Sequence, residues 1–138
     1  MAEGILRHRL GPASSITVAS MGIHGLEQQP ASSAAVAVCA EHGIDISAHR
    51  SRPLLGDELM GADAIFALEL LHKEFLITFF PQVSERVYQL GAWPGKQKRK
   101  HNVRDPIGRS GRVYRIIFEQ ISEHIERIAP LLQQHYDH

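Results

Sequence analysis

Cysteine is nearly absent from this chain, which has a single one, Cys39, among 138 residues. One thiol excludes an intrachain disulfide and is typical of a reducing compartment, so we expect the protein in the cytoplasm. No apolar run approaches the roughly 20 residues that a membrane-spanning helix needs. The first residues also lack the basic-then-apolar pattern of a secretory leader. These absences predict a protein with no membrane partner.

An excess of either charge is also lacking, because 15 Lys and Arg residues balance 15 Asp and Glu residues. A formal net charge of zero removes the global attraction that nucleic-acid binding uses, and no nucleic-acid partner is expected. The basic run Lys96–His101 could meet RNA or an acidic partner, although such runs are usually solvated loops. Nine histidines are present, yet none is paired at a metal-ligand spacing with carboxylate or thiolate support. The sequence therefore predicts no metal site and no cofactor.

The residues that are present predict one globular α/β domain over residues 1–138. Hydrophobic residues make up 43% of the chain and charged residues 22%, which suffices for a core. Strand patterns alternate with helix patterns, and this order is typical of a parallel sheet. The predicted strands are residues 15–19, 62–68 and 87–90, and the predicted helices are residues 2–9, 33–42, 69–79 and 113–132. A long basic loop is predicted over residues 95–112.

Six short segments form an ordered set of motifs that covers nearly the whole chain. The segments are Met1–Leu6, Val18–Gly22, Glu41–Arg52, Ala62–Phe66, Val103–Gly108 and Val113–Arg115. Each motif alone is weak, but the ordered set resembles the low-molecular-weight protein tyrosine phosphatase family. The resemblance implies a three-layer α/β fold, with a short parallel sheet flanked by helices.

The resemblance also implies that a strand and a Cys-x5-Arg phosphate loop would directly precede Met1. The 138 residues contain neither feature, so we expect an N-terminally incomplete domain that lacks the family's first, central strand. We expect this chain to be inactive by itself. A second copy of the chain could fill the slot of the absent strand, so a homo-oligomer is one expectation.

Asp105 is the residue to which the resemblance assigns the central chemistry. A phenolate leaving group needs a proton donor, and a carboxylic acid can supply it. By resemblance, Asp105 is the general acid and later the base that activates water, and Pro106 stiffens its loop. The dipeptide Asp105-Pro106 alone would predict only the start of a turn. Ile107 stands where the family usually has an aromatic residue against the substrate ring, so preference for phosphotyrosine is open.

Four further residues are site candidates through the resemblance. Ser20 and His49 match positions that support the phosphate loop from beneath by hydrogen bonds. His49 could equally be an ordinary turn histidine. His24 and Leu26 fall in the loop that borders the substrate cleft in the family, and they could also be plain surface residues.

Cys39 does not fit the role of nucleophile. A phosphate loop of this type needs arginine six residues after its cysteine, and that position holds Asp45, which would repel phosphate. Cys39 also lies in a helical pattern among Ala35, Val36 and Val38, where thiols are buried and inert.

The sequence therefore leaves several functions open. The leading hypothesis is a protein tyrosine phosphatase domain, whose longer parent hydrolyses a phosphorylated protein or a small phosphoester through a cysteine. The alternative is a non-catalytic binding or assembly protein on the same scaffold. Protein-arginine phosphatase remains within the first hypothesis, and arsenate reductase is a weaker one, because its thiol-coupled chemistry needs additional cysteines.

Overall fold

The computed structural model describes residues 1–23 and 27–137 and contains five α-helices and two β-strands in these ranges. In chain order they are α1 (Ala2–Leu10), α2 (Ser33–Glu41), α3 (Gly56–Gly61), β1 (Ile65–Ala67), α4 (Leu70–Phe79), β2 (Val87–Gln89) and α5 (Gly111–Tyr136). Short 3-10 helices lie at Pro81–Arg86 and Arg99–His101. The alternation of helix and strand confirms the predicted α/β class.

The two strands form a parallel sheet. Ile65 pairs with Val87, and Ala67 pairs with Gln89. The pairing continues one residue further, because the Leu90 N–H donates to the Ala67 carbonyl at 2.9 Å. Both carboxyl ends therefore lie at the same edge of the sheet, and the segments that follow them begin side by side.

Helices cover both faces of this sheet. Successive side chains of a strand point to opposite faces. Ile65 packs with the buried Leu59 of α3 and Leu76 of α4. Its neighbour Phe66 packs with Ile128 and Leu132 of α5. The chain therefore has three layers, as the resemblance implies.

The long helix α5 forms the spine of the core. It begins where the Ser110 hydroxyl accepts a hydrogen bond from the Val113 N–H at 3.5 Å. Its apolar residues recur at helical spacing and bury one stripe, against which α1 and α2 pack. The buried residues of the helix are Tyr114, Ile117, Phe118, Ile121, Ile125, Ile128, Ala129 and Leu132.

The predicted strand over residues 15–19 is wrong. Burial alternates along this segment as it would in a strand, with Ile16, Val18 and Ser20 half-buried and Thr17 and Ala19 exposed. In the described part of the chain, however, no strand pairs with it. A period-two pattern predicts which side chains face inward, but a strand also needs a neighbouring backbone to complete its hydrogen bonds.

In the same ranges, no helix is both long enough and apolar enough to cross a membrane.

Candidate active site

Asp105 lies on a tight, exposed turn. Its Oδ1 accepts a hydrogen bond from the Ile107 N–H at 3.0 Å. The Arg109 N–H donates to the Pro106 carbonyl at 2.9 Å, and Gly108 turns the chain with a φ of 77°. The turn holds the carboxylate in reach of solvent, where it can exchange a proton with a bound molecule.

The chain just before Asp105 is fixed to the carboxyl ends of both strands. The buried Val103 donates its N–H to the carbonyl of Leu68, directly after β1, at 2.9 Å. The Asn102 side-chain oxygen accepts from the Leu70 N–H and from Gln89 Nε2, each at 2.9 Å. Asp105 therefore follows a segment anchored to the sheet edge where ligands of open α/β sheets bind.

Gln89 completes this anchor from within the core. It is the buried polar residue of the described chain, and buried amides need partners for both their donors and their acceptor. Its Nε2 donates to the Lys98 carbonyl at 2.8 Å, and its Oε1 accepts from the Lys98 N–H at 2.9 Å. The loop predicted over residues 95–112 is thus tied to β2 at two points, Lys98 and Asn102.

Gly91 allows the loop over residues 95–112 to approach the chain that follows β2 closely. A Cβ at this position would lie 1.9 Å from the carbonyl oxygen of His101. Only glycine fits this contact, and it seats the short helix Arg99–His101 against the residues that follow β2.

Ser20 and His49 are brought together by a residue that the sequence analysis did not identify, Glu3. The Ser20 hydroxyl donates to Glu3 Oε1 at 3.1 Å, and His49 Nδ1 lies 3.4 Å from Glu3 Oε2. Arg7, one turn further along α1, contacts the same Oε2 at 3.2 Å. Glu3 is therefore the hub of a polar cluster formed by Glu3, Arg7, Ser20 and His49, which we call the Glu3 cluster.

Local packing explains how these distant segments meet. The Gly4 backbone approaches Ile46 so closely that a Cβ would lie 2.6 Å from Ile46 Cγ2. The Arg7 guanidinium also donates to the Val18 carbonyl. The Glu3–Arg7 spacing was the only signal in the sequence, since oppositely charged residues four apart on a helix pair often.

Asp105 and the Glu3 cluster are separate in their contacts. In the described ranges, no hydrogen bond or ion pair joins Asp105 to Ser20 or His49. Ile107, two residues after Asp105, is 73% exposed. His24 and Leu26, the other two candidates, lie outside the described residues.

Cys39 is fully buried in the core, as its helical surroundings predicted. Burial raises the pKa of the Cys39 thiol, because a thiolate loses its hydration there. Both effects oppose a nucleophilic role. Within residues 1–23 and 27–137, no group of three or more His, Cys, Asp or Glu side chains could hold a metal ion.

Solved structures share this fold over nearly the whole chain. A low molecular weight protein tyrosine phosphatase from T. tengcongensis superposes with a TM-score of 0.87 at 32% identity, covering 95% of this chain and 88% of that one. The YwlE arginine phosphatase from Geobacillus stearothermophilus superposes with a TM-score of 0.85 at 26% identity, covering 99% of this chain and 88% of that one.

Sequence relatives point to the same family. The probable low molecular weight protein-tyrosine-phosphatase EpsP of Ralstonia nicotianae is 29% identical over 96% of this chain and 86% of its own. A protein-arginine-phosphatase of Geobacillus stearothermophilus is 29% identical over the same shares. Residues 1–137 match the sequence profile described as "Low molecular weight phosphotyrosine protein phosphatase". The chain therefore belongs to the low molecular weight phosphotyrosine protein phosphatase family.

Proposed function

We propose that this chain is the scaffold and acid loop of a phosphatase that acts on a phosphorylated protein or a small phosphoester. The observation that carries the proposal is the position of Asp105, exposed on a turn that follows directly from an anchor at the carboxyl edge of the sheet. Asp105 would protonate the leaving oxygen as the bond from phosphorus to that oxygen breaks. It would then accept a proton from the water that attacks the covalent phosphoenzyme intermediate.

The nucleophile, in our proposal, is a cysteine outside these 138 residues. Cys39 is buried, and the residue six positions later is Asp45 instead of arginine. A Cys-x5-Arg loop of a longer product would supply the thiolate, which attacks phosphorus to form a phosphocysteine. The water activated by Asp105 would release phosphate and restore the thiolate. The 138-residue chain alone would then bind but not hydrolyse.

Ser20 and His49 would support that loop indirectly. Their common contact with Glu3, at the start of α1, places both side chains next to the first turn of this helix. The amino-terminal end of a helix favours anions, so the same region suits a phosphate loop. The proposed role is to position the loop, without contact to the reacting atoms.

Two phosphoamino acids are candidate substrates. The relatives include both a protein-tyrosine-phosphatase and a protein-arginine-phosphatase at 29% identity. Ile107 presents an aliphatic surface beside Asp105, which can pack against a ring or a long side chain but gives no aromatic stacking. This feature supports phosphoarginine as the second candidate beside phosphotyrosine.

Hydrolysis of p-nitrophenyl phosphate tests the proposal in two steps. The 138-residue chain should show no turnover. A fusion that places the first strand and Cys-x5-Arg loop of a sequence relative before Met1 should hydrolyse the compound. Asp105→Asn in that fusion should lower kcat by about 100-fold or more, the usual contribution of a general acid. Phosphotyrosine and phosphoarginine peptides then identify the preferred substrate.

Two outcomes would contradict the proposal. Turnover by the 138-residue chain that disappears in Asp105→Asn would mean that another of its residues attacks phosphorus. A folded but inactive fusion would favour the alternative, a binding or assembly protein on the same scaffold.

A further inference from the structure

The basic run of the long loop borders a cavity of about 540 Å³ beside the acid loop. Arg99, Lys100 and Arg104 line it from the loop, together with Asn102 and Gln120. Three cations and two amides form a lining that donates hydrogen bonds in several directions. The volume exceeds what a single carboxylate or phosphate group requires.

The cations of this cavity are not neutralised by the surrounding protein. In the part of the chain that the structure describes, Arg99, Lys100 and Arg104 form no ion pair. One carboxylate, that of Glu69, also lines the cavity, and its Oε2 lies 3.7 Å from His72 Nε2. Three positive side chains against one carboxylate leave a net positive field, which attracts an anion.

The loop that carries these cations is held in place. Gln89 binds it at Lys98 and at Asn102, and the Gly91 contact seats the carbonyl of His101. A basic run on a flexible loop would lose conformational entropy when it binds a ligand, whereas this one is already ordered. The core therefore fixes the position of the basic run.

We propose that this cavity binds the acidic side chains of a protein segment, as a recognition site next to Asp105. Arg104 directly precedes Asp105 in the chain, so their Cα atoms lie about 3.8 Å apart. An acidic segment seated in the cavity would bring its neighbouring residues to the acid loop. The inference extends the proposed function, because it identifies the substrate class as phosphorylated proteins with acidic residues near the modified one.

Binding of a fluorescein-labelled hexaglutamate peptide to the 138-residue chain tests this site, read by fluorescence anisotropy at low salt. The double variant Arg99→Glu, Lys100→Glu should weaken binding by about tenfold or more, because it reverses two of the three charges in the cavity. The matched control, Arg109→Glu, Arg112→Glu, makes the same charge change at exposed residues outside the cavity lining, and it should change affinity by less than about threefold.

The outcomes separate this inference from the proposed function, because binding is measured without hydrolysis. Equal weakening in both double variants would overturn it and indicate diffuse electrostatic attraction. No binding of hexaglutamate by the parent chain would also overturn it. A hexauridylate RNA that binds more tightly than the peptide, and loses affinity in the Arg99→Glu, Lys100→Glu variant, would assign the cavity to RNA instead. A Gly-Ser peptide of equal length should not bind.

Discussion

At the scale of single residues, Glu3 connects the two candidate support residues, Ser20 and His49. Its side chain is 13% exposed and contacts Arg7, Ser20 and His49. A carboxylate that is mostly removed from water depends on such partners, since hydrogen bonds to charged groups contribute about 1.5–3 kcal/mol each. Glu3 thus links α1 to two segments that are distant from it in the sequence.

We expect Glu3→Gln to lower the free energy of unfolding by about 1–2 kcal/mol, because the amide keeps the shape but loses the charge that Arg7 contacts. Urea denaturation followed by circular dichroism measures the change. Glu126→Gln is the matched control, since Glu126 is 62% exposed and pairs with Arg9 at 2.9 Å. An exposed pair contributes about 0.2–1 kcal/mol. Equal losses in the two variants would contradict a special role for Glu3.

Residue types predicted the local conformation at single positions, but they did not predict which residues those positions contact. The turn at Asp105 followed from the Asp-Pro dipeptide, because these two residue types favour turns through their own backbone preferences. The partners of Ser20 and His49 did not follow. Glu3 lies 17 residues before Ser20 in the chain. The two meet because α1 packs against residues 44–46 and Arg7 of α1 binds the Val18 carbonyl.

At the scale of elements, the loop before Asp105 is positioned by Gly91 and by the buried amide of Gln89. The long helix α5 could be predicted from its apolar spacing, although the cap at Ser110 begins it at Gly111, before the predicted Val113. The loop anchors could not be predicted, because a buried glutamine is recognised only when its partners, Lys98 and Asn102, are known. The strand prediction over residues 15–19 failed for the same reason. A strand needs a neighbouring backbone to pair with, and a local sequence pattern does not show whether one is present.

We expect Gly91→Ala to destabilise the protein by about 2–3 kcal/mol, because the new Cβ would lie 1.9 Å from the His101 carbonyl oxygen and the loop backbone must move. Gly61→Ala is the control, since no atom lies within 4 Å of a Cβ there. The control should stay within about 0.5 kcal/mol of the parent chain or gain stability.

Amide NMR shifts give a second measurement on the same pair of variants. Gly91→Ala should shift the resonances of residues 98–105, which the contact holds in place. An unchanged loop spectrum together with unchanged stability would show that this close approach does not position Asp105.

At the scale of the whole molecule, hydrogen bonding is uneven across the fold. The helix α5 spans 26 residues with a buried stripe, and α1 and α2 pack on it. The segment 17–20 lies at the opposite extreme, since no described backbone or side chain accepts a hydrogen bond from the N–H groups of Thr17, Val18, Ala19 or Ser20. Regions with few backbone hydrogen bonds open at low cost.

Hydrogen–deuterium exchange should therefore divide the molecule into two parts. We expect the amides of residues 17–20 to exchange within seconds to minutes, and those of Ile121 and Ile125 in α5 to exchange only on global unfolding. Ser15 is the internal control, because its N–H donates to Asp137 Oδ1 at 2.7 Å and should exchange more slowly than that of Thr17. Protection of residues 17–20 that does not depend on protein concentration would contradict the expectation. Protection that rises with protein concentration would show that a second copy of the chain adds a strand along this segment.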